Sequence, residues 1–288
     1  MALIEYTGQL IELKVARETD FGYFLTDGSE DVLLHKNETD DTHQEGDEIT
    51  VFLYPDAHGR LTATTRKPNL TVGNYGWVKV ADTVPGTGVF LENGTSKDVL
   101  LGKDDLPVLE SVWPQKGDML YSTIRVNRNG LIYARQASEQ VIQEISIPAE
   151  RKAFNQNVHA FIYRTAKVGS WMITAEGYRG FIHESQRKRE PRLGEKVEGR
   201  IIDVKEDGTV NISLLPRKHD ALETDAEAIM EYLESRNGAM PYSDKSMAED
   251  IQERFGMSKA SFKRALGRLM KEGKVYQDQS WTYKKEEK

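Results

Sequence analysis

A cluster of basic side chains is the part of this sequence whose residue types and spacing most directly suggest chemistry. It comprises Arg187, Lys188, Arg189 and Arg192, with Arg179 a short way before it. Cationic side chains neutralise phosphates, and affinity for nucleic acid rises with the number of such contacts. A basic run can also be a solvated loop, so the elements that position the cluster must decide between a phosphate-binding surface and plain surface charge.

The charge of the chain is unevenly distributed around this cluster. The 288 residues carry a formal net charge of -7, yet residues 148–218 hold 14 Lys and Arg against 9 Asp and Glu. Residues 1–67, by contrast, hold 6 Lys and Arg against 14 Asp and Glu. The acidity of the whole chain disfavours a nucleic-acid partner, whereas the local basic excess favours a polyanion at that segment.

Several kinds of catalytic and metal chemistry lack the residues they need. The absence of cysteine excludes disulfides, thiolate zinc sites and cysteine nucleophiles. The six histidines are scattered, and neither a phosphate-binding loop nor a nucleophile-elbow motif occurs. The start of the chain lacks the features of a secretory signal, and there is no apolar run of about 18 residues. We therefore expect a cytoplasmic protein that is not an enzyme, with no cofactor, no metal and no membrane partner.

Three segments repeat one layout of glycines and short apolar runs. In each, a glycine is followed after 13 or 14 residues by the last residue of an apolar run. The pairs are Gly22 and His35, Gly88 and Gly102, and Gly169 and His183. Further glycines recur in the same order in all three segments. Glycines at repeated spacings predict turns with positive φ or places where two backbones approach closely.

Each repeat also contains five runs typical of short β-strands. In the third repeat, Val210, Ile212 and Leu214 alternate with polar residues, as in a half-buried strand. Five short strands in about 70 residues fit a small closed barrel, which leaves no free sheet edge. The predicted barrels cover residues 1–67, 68–147 and 148–218.

The order of these motifs resembles the RNA-binding domain of ribosomal protein S-one. The shared features are a glycine–aromatic motif, a strand ending in histidine, a Gly-Asp turn and a hairpin ending in Ser-Leu. The third repeat matches best through WMI, RGFIHES and TVNISL, whereas the second is a weak match. The resemblance implies five-stranded barrels of the oligonucleotide-binding (OB) type.

The same resemblance implies which side chains lie on a nucleic-acid-binding face. They are Trp171 and His183 in the third repeat, Phe21, Phe24 and His35 in the first, and Phe90 in the second. In such faces, aromatic platforms stack bases beside a basic groove. Phe24, Phe90 and Trp171 could instead be barrel core, since aromatics in small barrels are often packing residues. Gly102 replaces the histidine of the second repeat, which is therefore expected to be a weak binder or a spacer.

Charge ranks the three repeats as RNA-binding candidates. In the third, His183 is followed by the basic cluster and preceded by Arg179. The residues expected to contact RNA are Arg179, Arg187, Lys188 and Arg189. In the first, His35 is followed by Glu38, Asp40 and Asp41, which should repel phosphate. We therefore expect the third barrel to be the main contact for single-stranded RNA.

The pattern changes period after residue 218. Helical runs are predicted over residues 221–234, after a capping box formed by Ser246 and Glu249, and after an N-cap at Ser258. In the last of these helices, Phe262, Leu266, Leu269 and Met270 are expected to form the core stripe. A hairpin is predicted over residues 274–283.

This α+β segment, residues 219–288, resembles the winged-helix domain through the string AEDIQERFGMSKASFKRALGRLMKEGKV. The third helix of that family contacts DNA, RNA or protein. The residues of this chain that the resemblance implies are Lys259, Ser261, Lys263, Arg264 and Arg268. The same domain also serves as a protein-interaction module, so fold alone leaves its ligand open.

Three barrels followed by a winged helix, at this length, resemble the bacterial conserved virulence factor B family. The resemblance implies a cytoplasmic RNA-binding regulator that influences gene expression or RNA turnover, including virulence genes. Two alternatives stay open at the level of sequence. One is a DNA-binding transcription regulator acting through the winged helix, and the other is a protein adaptor for an RNA-processing or translation machine.

Overall fold

The computed structural model describes residues 2–285, except for the side chains of residues 218–222. The chain forms two compact units, Met1–Leu214 and Leu215–Lys288, and each is described by itself. Three β-sheets make up the first unit, and helices with a small three-stranded sheet make up the second. No helix within the described residues has the length and apolar character required to cross a membrane.

Five strands close the first barrel. They are β1 (Leu10–Thr19), β2 (Gly22–Thr26), β3 (Asp31–His35), β4 (Glu48–Pro55) and β5 (Leu61–Thr64). Their order is β1-β2-β3-β5-β4, and β4 pairs back to β1, which closes the barrel. Alternate side chains such as Leu13, Val15 and Leu25 fill the interior, as the period of a strand requires.

The second repeat forms a five-stranded sheet, here called the middle sheet. Its strands are β6 (Gly76–Val84), β7 (Gly88–Leu91), β8 (Val99–Gly102), β9 (Met119–Val126) and β10 (Ile132–Gln136). They lie in the order β10-β9-β6-β7-β8, and within residues 2–285 no ladder joins β8 to β10. The prediction of a closed barrel is thus met only in part. The strands β8 and β10 nevertheless lie side by side, and Phe52 and Tyr54, on β4, pack into the apolar interior together with Leu193.

The third repeat is again a closed barrel. After a short helix α1 (Glu139–Ile145), its strands are β11 (Asn157–Ala166), β12 (Gly169–Thr174), β13 (Arg179–His183), β14 (Lys196–Val204) and β15 (Val210–Ser213). The order β11-β12-β13-β15-β14 repeats the first barrel, including its parallel pair of third and fifth strands. The expected barrel fold is therefore confirmed for the first and third repeats.

The recurring glycines mark places where two neighbouring antiparallel strands approach each other closely. A Cβ atom on Gly22 would lie 2.2 Å from the carbonyl oxygen of Leu34, and one on Gly169 would lie 2.3 Å from that of Ile182. No side chain fits at such distances, so glycine is required where the second strand lies against the third. The glycine spacing of the sequence predicted this close approach correctly.

The second unit is a winged helix. Its elements are α2 (Lys218–Ser235), β16 (Ala239–Met240), α3 (Ala248–Phe255), α4 (Lys259–Lys271), β17 (Val275–Asp278) and β18 (Trp281–Lys284). The strands lie in the order β16-β18-β17. The core between the helices and this sheet includes Ile229, Leu233, Ile251, Phe262 and Leu266.

Two details of the helical prediction are wrong. The buried stripe of α4 runs through Phe262, Ala265 and Leu269. Met270, eight positions after Phe262, lies at the edge of this stripe and is 44% exposed. Ser246 does not cap α3, since that helix begins at residue 248 and is preceded by Met247 without a side-chain cap. The hydroxyl of Ser246 instead accepts the backbone N–H of Ser243.

Candidate nucleic-acid interface

The hydrogen-bonding register aligns the three β-sheets of the first unit position by position on the outer face of their second and third strands. Arg164, Trp171 and Phe181 are cross-strand neighbours in the third barrel, and His183 follows on β13. The same positions of the first barrel hold Arg17, Phe24, Leu33 and His35. Those of the middle sheet hold Asp82, Phe90, Leu100 and Gly102. These four positions are called the register row.

A β-bulge on the first strand precedes the arginine of the register row in the first and third barrels. The pairing shifts by one residue between Val15 and Arg17 in the first barrel, and between Ile162 and Arg164 in the third. A bulge re-aims the side chain that follows it. In both barrels the arginine consequently lies over the aromatic ring of the neighbouring strand.

The side chains of the register row in the third barrel contact one another in series, with Trp171 and Phe181 inclined by 56° and Phe181 edge-on to His183. The guanidinium carbon of Arg164 lies 4.2 Å from the ring centre of Trp171. The ring of Trp171 lies 5.0 Å from that of Phe181, which in turn lies 6.3 Å from the imidazole of His183. All four residues are at least partly exposed. A cation, two aromatic rings and an imidazole therefore stand side by side, as a base-stacking and phosphate-binding surface requires.

The histidine of the row has the same arrangement in both barrels. Nδ1 of His183 accepts the backbone N–H of Ser185 at 3.2 Å, and Nδ1 of His35 accepts that of Asn37 at 3.1 Å. Each histidine thus caps the one-turn helix that follows its strand. Because Nδ1 is an acceptor, the neutral ring carries its proton on Nε2, which is available as a donor to a ligand.

The first barrel repeats this face with a different charge. Phe21 is 49% exposed and lies edge-on to Phe24, and Arg17 stands 4.1 Å above the Phe24 ring. The Arg17 guanidinium also pairs with Asp31 at 2.7 Å. The register places Asp31 where the third barrel has Arg179. The two faces share a backbone but differ in sign at this position.

The middle sheet lacks most of the row. Phe90 is partly exposed, but the residue opposite it is Asp82, and Gly102 contributes no side chain at the histidine position. A carboxylate in place of the arginine disfavours phosphate. That the second repeat is a weak binder or a spacer stays a prediction.

The basic cluster is largely committed to contacts within the protein. The side chain of Arg187 is only 4% exposed, donates to the hydroxyl of Ser170 at 2.5 Å and pairs with Glu190 at 2.8 Å. Arg189 pairs with Glu195 through both terminal nitrogens. Arg187 and Arg189 are therefore both ion-paired, but the Arg189 side chain is 65% exposed and Lys188 is exposed, so contact of these residues with RNA stays a prediction.

Arg192 joins the third barrel to the middle sheet. Its guanidinium donates to both oxygens of Asp118, each at 3.0 Å, and its backbone N–H donates to Glu195. Burial opposes ionisation of Glu195, but hydrogen bonds from Arg189 and from the Arg192 backbone hold the pKa of this carboxyl below its usual range. Of the basic cluster, Arg192 therefore links two modules, whereas the ion pairs of Arg187 and Arg189 lie within the third repeat.

Arg179 lies beside the register row but is held by an acid of the preceding helix. Glu139, the first residue of α1, accepts hydrogen bonds from Arg179 at 2.6 Å and from the hydroxyl of Tyr163 at 3.0 Å. Burial and the Glu139 charge raise the pKa of Tyr163, so its hydroxyl stays protonated and donates. Together with Trp171 and Phe181 these residues line a pocket of about 200 Å³.

The side chains implied for the winged helix lie on α4. Lys263 and Arg264 are exposed, and Arg264 donates to the hydroxyl of Ser261 at 3.1 Å. Lys259 and Ser261 are partly exposed in the first turn. Arg268 instead pairs with Glu272 at 2.7 Å and with Glu223 at 3.4 Å. The helix therefore offers three exposed cations, Lys263, Arg264 and Lys271, whereas Arg268 is paired within its own domain.

Sequence reasoning missed four side chains at the barrel faces. They are Arg17, Arg164, Phe181 and Glu139. Phe181 could have been found because it lies two residues before His183 and must share its face of the strand. The arginines could have been found because each precedes the repeated glycine by five residues, at Gly22 and Gly169. No local signal could have brought Glu139 to Arg179.

Two closed OB-type barrels, a related five-stranded sheet and a winged helix define a modular protein of S1-type domains. A family model described as an S1 domain matches residues 7–66, and one for the CvfB first S1-like domain matches residues 75–135. The second domain of the virulence regulatory factor CvfB matches residues 142–216, and a CvfB-like winged helix domain matches residues 227–283. The chain belongs to the conserved virulence factor B family.

Relatives and a solved structure support this assignment along nearly the whole chain. An uncharacterized protein YitL of Bacillus subtilis (strain 168) is 52% identical over 96% of this chain and 93% of its own length. Conserved virulence factor B of Staphylococcus aureus (strain USA300) is 40% identical over 84% and 82%, respectively. A crystal structure of a multidomain protein with nucleic acid binding domains from Streptococcus pneumoniae TIGR4 is 37% identical. It covers 98% of this chain and 99% of that one with a TM-score of 0.68.

Proposed function

We propose that this protein is a cytoplasmic RNA-binding regulator that holds single-stranded RNA on the third barrel and has no catalytic activity of its own. Its family membership supports a role in the expression of genes that include virulence genes. The observation that carries the proposal is the register row, which is complete in aromatic and basic character at Arg164, Trp171, Phe181 and His183.

The chemistry of the row fits a single strand better than a duplex. Unpaired bases can lie on exposed rings, and each stacked base contributes about 1–3 kcal/mol. In a duplex those base faces are already covered by neighbouring bases. Trp171 and Phe181 offer the ring faces, whereas Arg164 offers a cation for the adjoining phosphate. The Nε2 donor of His183 can contact a phosphate or the 2′-hydroxyl that distinguishes RNA from DNA.

The test compares matched positions of the two barrels in the full chain. Titration of a fluorescein-labelled 12-residue oligouridylate should show a loss of affinity of about tenfold for Trp171→Ala and a smaller loss for His183→Ala. Phe24→Ala and Phe21→Ala in the first barrel are the matched controls, and we expect each to change affinity less than twofold.

The opposite ranking, with the first-barrel variants weaker than the third-barrel variants, would contradict the assignment of the site. An unlabelled DNA strand of matching length serves as competitor. We expect it to compete less well than RNA, and equal competition would assign the protein to single strands in general. Crosslinking to cellular RNA, with Trp171→Ala as control, extends the same comparison to natural targets.

A further inference from the structure

The pocket beside the register row of the third barrel is lined by two side chains that each carry an unpaired polar atom. Oε2 of Glu139 and Nε of Arg179 are shielded from solvent, and neither has a hydrogen-bond partner among the described residues. A shielded polar atom without a partner costs free energy, and native structures rarely contain one. One of these atoms is an acceptor and the other a donor, so a ligand group that pairs with both would be stabilised.

The contacts of the other Glu139 oxygen fix the position of this carboxylate. Oε1 accepts a hydrogen bond from Nη1 of Arg179 at 2.6 Å and one from the hydroxyl of Tyr163 at 3.0 Å. Oε2 is therefore the oxygen that remains for a ligand. Because the Glu139 side chain is 38% exposed, a small rotation of its carboxylate can turn this atom toward the pocket.

The pairing of an arginine with a glutamate at this place is specific to the third repeat. Arg179 lies two residues before the third member of the register row, and the matching positions of the other repeats hold Asp31 and Asp98. Glu139 comes from α1, the helix that precedes the third barrel. The unpaired donor and acceptor thus accompany the complete register row and neither of its two counterparts.

The other walls of the pocket suit the remaining parts of a nucleotide. Trp171 and Phe181 of the register row line it on one side, and Lys205 lines it from the β14–β15 hairpin. Lys205 is exposed and can contact a phosphate. Asp207 also lines the pocket, but its Oδ1 accepts the hydroxyl and the backbone N–H of Thr209. We therefore expect a base on the rings, a phosphate at the lysine and the sugar between them.

A hydroxyl is the group that best matches an adjacent acceptor and donor. It donates its proton and accepts through the same oxygen, whereas a phosphate oxygen only accepts and is repelled by the Glu139 charge. Ribose carries a hydroxyl at its 2′ position and deoxyribose does not. A carboxylate is also the group that recognises the ribose 2′-hydroxyl in dinucleotide-binding folds.

We propose that Glu139 recognises the 2′-hydroxyl of a nucleotide held on the third barrel and thereby makes this site select RNA over DNA. Oε2 of Glu139 accepts the hydroxyl proton, and Nε of Arg179 donates to the hydroxyl oxygen. This assignment rests on the proposed function for the location of the strand. It adds the residue that distinguishes the two sugars.

The test compares two fluorescein-labelled 12-residue strands, oligouridylate and oligodeoxyuridylate, by fluorescence anisotropy with the full chain. The wild type should bind the RNA strand at least about threefold more tightly than the DNA strand, the effect of one hydrogen bond. In Glu139→Gln this ratio should fall about threefold, because an amide N–H₂ group in place of Oε2 cannot accept the hydroxyl proton. Loss of the negative charge should raise the affinity for both strands, and the DNA strand should gain more because it loses no hydrogen bond.

A chemical change in the strand tests the same contact from the other side. A 2′-O-methyl oligouridylate has no proton to donate to Glu139, so the wild type should bind it about as weakly as it binds the DNA strand. Glu144→Gln removes the same charge from an exposed position of the same helix and should leave the RNA-to-DNA ratio unchanged. If the ratio falls in His183→Ala but not in Glu139→Gln, the histidine recognises the sugar and the role of Glu139 is overturned.

The outcomes separate the role of Glu139 from the proposed function. If Trp171→Ala weakens RNA binding but the ratio is the same in Glu139→Gln and the wild type, recognition of the sugar by Glu139 is overturned and the third-barrel site stands. Equal binding of the two strands by the wild type overturns it in the same way. If the wild type binds neither strand, both fail.

Discussion

The first and third barrels have one backbone and two different faces. Both have the same strand order, a glycine where the second strand lies close against the third, and an arginine above an aromatic ring. They differ at three positions of the face, the first of which is Trp171 of the third barrel and Phe24 of the first. Phe181 of the third barrel is Leu33 in the first, and Arg179 of the third is Asp31 in the first. The two faces thus differ in the place of their second ring, which is Phe181 in the third barrel and Phe21 in the first, and in the sign of one charge.

This difference teaches that net charge is a poor guide to the binding face. The third repeat is basic, but Arg187, Arg189 and Arg192 form ion pairs with carboxylates of the protein. What distinguishes its face is a small set of exposed side chains that the register brings together. Three predictions test this distinction, beginning with the largest expected effect.

Arg192→Met should lower the free energy of unfolding of the first unit by about 3 kcal/mol, because it leaves the nearly buried carboxylate of Asp118 without its partner. The measurement is chemical denaturation followed by circular dichroism. The control is Arg60→Met, whose ion pair with Asp56 in the first barrel is exposed at the arginine, and which should cost less than 1 kcal/mol. If Arg192→Met instead weakened RNA binding without changing stability, the basic cluster would belong to the RNA site after all.

Arg164→Asp gives the third barrel the charge that the middle sheet has at this position, and should lower the affinity for single-stranded RNA about tenfold. The variant removes a cation and the contact above the Trp171 ring. Arg17→Asp in the first barrel makes the same change at the matching position and should alter affinity less than twofold. Equal losses in the two variants, measured by fluorescence anisotropy, would remove the distinction between the barrels.

Glu139→Gln should raise the affinity for single-stranded RNA about threefold, because it removes the negative charge that holds Arg179 beside the row. The dependence of affinity on salt should become steeper, since a further cation is released to contact phosphate. Glu144→Gln, on the same helix, is the control and should change neither quantity. An unchanged salt dependence in Glu139→Gln would show that Arg179 takes no part in binding.

Sequence patterns predicted the elements that follow from local chemistry. The repeated glycines located the places where the second and third strands approach closely. The alternation of apolar residues, as at Val210 and Ile212, located the barrel interiors. The predicted winged helix is confirmed for the same reason, because the stripe through Phe262 and Leu266 has helical period. Such signals lie within a few residues of one another and need no knowledge of the remaining chain.

Long-range pairings could not be predicted in this way. Asp118 and Arg192 meet across 74 residues, and Glu139 reaches Arg179 across 40. Neither partner carries a local mark of the other, so the basic cluster was assigned to RNA as though it were unpaired. The core of the middle sheet likewise contains Phe52, Tyr54 and Leu193 from the other two repeats, and no local pattern marks these residues as its members.

The packing of Phe52, Tyr54 and Leu193 into the core of the middle sheet has a consequence for the order in which the repeats fold. The middle sheet is second in the sequence, yet its core contains side chains from both the repeat before it and the repeat after it. During synthesis the first barrel can fold as it emerges, whereas the middle sheet acquires its last core residue only after Leu193 has left the ribosome. The core of the middle sheet is thus complete only once the third repeat is made, and the acidic first barrel contributes Phe52 and Tyr54 to that core.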